Sequence, residues 1–270
     1  MSLSWWKQSV GYAVILSAVS LSIGLSSLNM PVSADGASDD SKKTSESSDG
    51  RLAAVVPVSR TDAGWMDKHD KLVQLVHDSH ADIAFFGDSI TEGMNVELMH
   101  EIIGPNASKF GIGGDRTQHL LWRFQNGELD FPKPGPKAFV VLIGTNNISK
   151  WPGNPSSSNS EILQGVDADL KEIRAKFPKA KILLLAMLPR EEKPGTPIRV
   201  RVNETNELLK GLADKKHIWY ADISAQLLEP DGKLSPKVMS DFLHPTQQDG
   251  NEKMFNAIKP HLDEMMAKKK

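Results

Sequence analysis

Short apolar runs that alternate with segments of helical spacing constrain this chain more than any other feature. Residues 83–86 read Ile-Ala-Phe-Phe before Gly87, and residues 138–143 read Ala-Phe-Val-Val-Leu-Ile before Gly144. Residues 181–187 precede Leu188-Pro189, a shorter run covers 218–222, and the faintest of the five covers 107–110 before Gly111. The runs are continuous rather than alternating, as in parallel strands buried on both faces. Between them, helical spacing predicts helices over 62–80, 115–124, 160–177, 199–213 and 247–266. In the first of these, Trp65, Leu72, Leu75 and Val76 fall near one face. Strand–helix alternation of this kind predicts an α/β fold, a sandwich with a central parallel sheet. Such sheets bind ligands beyond the C-terminal ends of their strands. Residue 89 and the segments 111–115 and 144–147 all follow candidate strands directly.

The rest of the chain sets outer limits. The formal net charge of −2 gives no basic field for nucleic acid or an anionic membrane. With no cysteine, disulfides, thiolate zinc sites and a cysteine nucleophile are excluded. At the N-terminus, Lys7 precedes an apolar, small-residue stretch over 10–25, and Pro31-Val32-Ser33-Ala34 closes it. That is the pattern of a secretory signal covering 1–34, cleaved after Ala34. The competing reading, an uncleaved anchor, needs about 20 apolar residues and the run is a little short. Residues 35–51, rich in Ser, Asp, Lys and Gly, read as a disordered linker. Residues 52–270 are then the folded domain, long enough for one core.

The chemistry lies in four short segments. Gly87-Asp88-Ser89 offers a serine at a strand end, where a turn into a helix would expose its hydroxyl. Read plainly, Ser89 is a helix cap followed by Thr91 and Glu92 in the first turn. Asp241-Phe242-Leu243-His244 places a carboxylate one helical turn before an imidazole, so Asp241 can hold His244 while His244 serves Ser89. The plain alternative is a solvated helix N-terminus. Gly111-Ile112-Gly113-Gly114 offers backbone N–H groups to a developing oxyanion, and Gly144-Thr145-Asn146-Asn147 offers a side-chain amide. A dinucleotide loop would need a third glycine where Arg116 stands. Asp88, adjacent to the serine, reads as structural rather than as the acid of a triad. Trp151 to Pro155 is a candidate wall beside the acyl group, and Trp65 and Trp122 read as core.

In that order, the four segments resemble the blocks of the SGNH (GDSL) hydrolase superfamily. The resemblance spans Ala81 to His244. It is sharpest for the catalytic subunits of intracellular platelet-activating-factor acetylhydrolase and their bacterial relatives, on Phe110 to Arg123, Asn126 to Leu129, Gly144 to Asn147 and Leu188 to Arg190. It implies a three-layer α/β/α sandwich with a flavodoxin-like sheet of about five parallel strands. Position by position, Ser89 matches the nucleophile, and Asp241 and His244 match the last block. Gly114 and Asn146, with the Ser89 N–H, match the oxyanion hole. The resemblance implies no metal and no cofactor. It implies a small-molecule, lipid or glycan ester as substrate, a short acyl group such as acetyl, and pairing into a homodimer. Gly-x-Asn-Asp, common in the superfamily, is Gly-Thr-Asn-Asn here, as in the acetylhydrolase branch. Export sets the chain apart from the intracellular subunits and leaves carbohydrate O-acetylesterase, lysophospholipase or thioesterase, and a catalytically silent binding module as alternatives.

Overall fold

All five apolar runs form strands in the computed structural model, which describes residues 53–62, 64–150 and 155–267. The readings of 1–34 as a signal and 35–51 as a linker, and Trp151 as a pocket wall, lie outside the described residues. The strands are β1 (Ile83–Gly87), β2 (Ala107–Gly111), β3 (Ala138–Leu142), β4 (Lys181–Leu185) and β5 (Ile218–Ala221), in the order β2-β1-β3-β4-β5. Every neighbouring pair is parallel.

Successive side chains of each strand point to opposite faces, and the two faces fill two separate cores. Phe85, Val140, Leu142, Leu183 and Leu185 pack on one side with α3 (Val96–Ile102), α8 (Ser224–Leu227) and α9 (Asp249–Met266). Ala84, Phe86, Phe139, Val141, Ile182 and Leu184 pack on the other. That second face is covered by α1 (Trp65–Asp78), α4 (Thr117–Arg123), α6 (Asn159–Lys176) and α7 (Pro197–Leu209). Each fully buried Phe or Leu contributes about 1.5–3 kcal/mol by leaving water. The result is a three-layer α/β/α sandwich. Among the described residues no helix is long and apolar enough to cross a membrane.

Several boundaries differ from the sequence reading for local reasons. The run 181–187 leaves the sheet after Leu185, because the Asn206 side chain takes both the N–H and the C=O of Met187, each at 2.9 Å. Leu75 on α1 turns outward and is 44% exposed, so the buried face of α1 is carried by Trp65, His69 and Val76 instead. Trp122 is half-buried rather than core. The segment 115–124 becomes helical only at Thr117, since Arg116 is extended and Asp115 belongs to the preceding turn. The pattern 199–213 tightens after Leu209 into a separate turn, Lys210–Leu212. Helix α3, capped by the Asn95 side chain on the Leu98 N–H, was not expected.

Candidate active site

Strand β1 ends at Gly87 and the chain turns at once into α2 (Ser89–Glu92). The turn is held by Asp88, whose Oδ1 accepts the Ile90 N–H at 3.0 Å. It also requires Gly111 at the end of β2, where a Cβ would come within 2.2 Å of the Glu92 backbone nitrogen. Ser89 therefore stands at the first position of α2, and its N–H makes no hydrogen bond among the described residues.

The chain after β5 brings the partners. Asp241 Oδ1 accepts the N–H groups of Leu243 (3.0 Å) and His244 (2.8 Å), folding the loop around the carboxylate. Phe242 takes φ +56 within it, and its C=O accepts the Glu191 N–H. Thr246 pins the far side, its N–H on the Val238 carbonyl. His244 Nδ1 lies 2.6 Å from Asp241 Oδ2, and His244 Nε2 lies 2.8 Å from Ser89 Oγ. An ionised carboxylate only accepts, so Nδ1 carries the proton and Nε2 is free to accept from the Ser89 hydroxyl. Partial burial works to raise the Asp241 carboxyl. The hydrogen bonds from the His244 imidazole and from the two backbone N–H groups outweigh it and hold the group below the usual carboxylate range.

Gly114 and Asn146 meet at Asp115. Gly114 sits at φ +80, a conformation that L side chains rarely adopt, and its N–H makes no hydrogen bond among the described residues. Asn146, buried in the short helix α5 (Thr145–Ile148) after β3, donates one amide hydrogen to the Asp115 carbonyl at 2.9 Å. Its second amide hydrogen has no partner among the described residues. All five sequence-predicted residues thus lie in the turns and short helices at one edge of the sheet, and Ser89, His244 and Asp241 form one continuous hydrogen-bonded chain. Two cavities, of about 630 and 450 Å³, include none of the five. The larger lies against α9 and the smaller along the outer edge of β2. Here the chemistry, not the volume of a cavity, locates the site.

The GDSL-like Lipase/Acylhydrolase family matches residues 85–248 of the chain. Platelet-activating factor acetylhydrolase IB subunit alpha2 of Rattus norvegicus is 39% identical over 188 residues, covering 68% of this chain and 78% of that protein. The chain belongs to this family. It is a carboxylic ester hydrolase of the SGNH superfamily, on the acetylhydrolase branch. Subunit alpha1 of Homo sapiens is 34% identical over 186 residues, covering 68% of this chain and 76% of its own. The fold matches that of a GDSL-like lipase from Bacteroides thetaiotaomicron, with a TM-score of 0.55 and 22% identity, over 68% of this chain and 88% of that one.

Around the site this acylhydrolase carries a buried charge network that its sequence did not announce. Arg123 is fully buried. It donates to Asp115 Oδ2 (2.8 Å), to both oxygens of Glu128 (2.8 and 2.6 Å), and to the strand-end carbonyls of Gly87 and Phe110. Burial alone would lower the guanidinium, but the Glu128 and Asp115 charges overcome it and raise it. Asp115 Oδ1 also accepts from Trp65 Nε1 at 2.7 Å and from Arg60 at 3.2 Å. Asn147, beside Asn146, braces α4 by accepting the Thr117 N–H. A lone arginine in a helical segment gives no sign in sequence that it reaches two strand ends. The cues were the polar stretch from Asp115 to His119 on a segment that must be packed, and the resemblance that covers Phe110 to Arg123 and Asn126 to Leu129.

Proposed function

We propose that this acylhydrolase is an exported serine esterase that removes short acyl groups, acetyl above all, through an acyl-enzyme on Ser89. The unbroken hydrogen-bonded chain Asp241–His244–Ser89 carries the reading. His244 Nε2 takes the Ser89 proton as Oγ forms a bond to the ester carbonyl carbon. The carbonyl oxygen becomes an oxyanion, held by the N–H groups of Ser89 and Gly114 and the second amide hydrogen of Asn146. The C–O bond to the alcohol then breaks, and the imidazolium returns its proton to the leaving oxygen. Water, deprotonated by His244, attacks the acyl-Ser89 ester, releasing the acid and restoring the serine. Asp241 stabilises the imidazolium at both stages.

The acetyl preference is supported by the acetylhydrolase relatives, and the steps are the same for the ester of a small molecule, a lipid or a glycan. Export is supported by the signal pattern in 1–34. Hydrolysis of p-nitrophenyl esters from acetyl to octanoyl tests the proposal. The expected rate is highest with acetate and falls by at least about 10³-fold in Ser89→Ala. An unchanged rate in that variant contradicts the nucleophile, and a maximum at octanoyl contradicts the short acyl group.

A further inference from the structure

Glu92 closes α2, one turn after Ser89, and its carboxylate joins three elements. Oε2 accepts the Gly113 N–H at 2.7 Å, and Oε1 accepts from Lys68 Nζ on α1 at 2.6 Å. From the other side, Arg60 Nη1 donates to the Gly113 carbonyl at 2.6 Å. A peptide unit is planar and its C=O and N–H point in opposite directions. Holding the Gly113 carbonyl on Arg60 therefore aims the N–H of the same unit, which belongs to Gly114, away from Arg60. Holding the Gly113 N–H on Glu92 fixes the preceding unit as well. The loop at this point runs against the nucleophile: a Cβ placed on Gly113 would lie 2.8 Å from Glu92 Oε2 and 3.6 Å from Ser89 Cβ.

We infer that Glu92 is a positioning residue, setting where the Gly114 N–H stands relative to Ser89 and so how well the oxyanion is held. The inference rests on the reading of Gly114 and Asn146 as oxyanion donors. One rigid turn carries both the nucleophile, at its start, and the group that fixes its partner loop, at its end. Glu92 touches no reacting atom in this role. Its ion pair with Lys68 is exposed, with side chains 36% and 51% accessible, so it adds little to stability. The consequence belongs in turnover.

Steady-state hydrolysis of p-nitrophenyl acetate by Glu92→Ala, Glu92→Gln, Lys68→Met and Asn146→Ala, each with its melting temperature, tests this. Glu92→Ala is expected to lower kcat about 10- to 100-fold with KM held within about threefold, the scale of a misplaced donor. Glutamine keeps an accepting oxygen, so Glu92→Gln should recover to within about threefold of the parent. Lys68→Met, which removes only the exposed ion pair, should stay within about twofold. A Glu92→Ala variant with unchanged kcat, or a glutamine no better than alanine, overturns the inference. Asn146→Ala separates the two levels. If it loses about 10²–10³ in turnover while Glu92→Ala loses nothing, the oxyanion reading stands and only the role of Glu92 falls. If Asn146→Ala loses nothing, the oxyanion reading fails and takes the inference with it.

Discussion

Asp88 and Asp241 are both carboxylates beside the same serine and histidine, and their surroundings drive them in opposite directions. Asp241 is partly open to solvent and is held ionised by three donors. Asp88 is fully buried, its Oδ2 has no partner among the described residues, and burial pushes it up to about 7 despite the Ile90 N–H on Oδ1. An acid raised in the folded state contributes its full stability below its unfolded value, and that stability is lost as pH rises through the folded value. For Asp88 the window runs from the ordinary carboxyl value of 3.8 to about 7. Asparagine keeps the capping oxygen and cannot ionise. Asp88→Asn should therefore gain stability relative to the parent by a few kcal/mol between about pH 4 and pH 8. Urea unfolding of both proteins across that range measures it, and a difference that does not change with pH contradicts it. The segments carrying Ser89, Gly114, Asn146, Asp241 and His244 stood out in sequence through strand-end glycines and one-turn spacing, and it was the resemblance to the superfamily blocks that picked Gly114 and Asn146 out of theirs. Glu92 was not: in sequence it is simply the fourth residue of a helical turn, and its partner, the Gly113 N–H, is brought to it only by the pairing of β1 with β2.

At the scale of elements, the helix α9 and the loop before it act together. Gly250 lies one residue inside α9, and a Cβ there would meet the Val238 carbonyl at 2.3 Å and the Pro245 backbone at 2.8 Å. Those are backbone atoms of the segment that holds His244, so they cannot yield as the end of a side chain can. Gly250→Ala should cost about 1–3 kcal/mol of stability and reduce kcat by moving the imidazole from Ser89. Denaturant unfolding beside p-nitrophenyl acetate turnover checks both, and full activity in the variant contradicts the coupling. The strands were legible as elements because a continuous apolar run has no other stable place than a buried sheet. Their ends were less so, since Met187 leaves β4 only because Asn206, distant in sequence, claims its backbone. The segment that forms α3 carries too short a pattern to read, and only Asn95 as its cap marks the start.

For the molecule as a whole, parallel order around β1 and β3 gathers four loops at one edge, and each contributes to the site. The strand-end rule anticipated that edge before any geometry was known. The buried braces at Arg123, Glu128 and Asp115 were invisible because they join segments whose proximity is created by the fold itself. They lock the ends of β1 and β2 to the loop carrying Gly114. Such an arrangement is rigid at the reacting groups and open to solvent at His244 and Asp241, whose side chains are 39% and 54% accessible. That openness suits an ester whose alcohol portion extends outward. Mass spectrometry of the protein in its proposed exported form, after reaction with a fluorophosphonate, tests the central claim most directly. Only a serine with an active base displaces the fluoride, so a single adduct on the peptide carrying Ser89 is expected, absent from His244→Ala, on a chain that begins at Asp35. An adduct on another residue, or none from a protein that still hydrolyses acetate esters, would contradict Ser89 as the nucleophile.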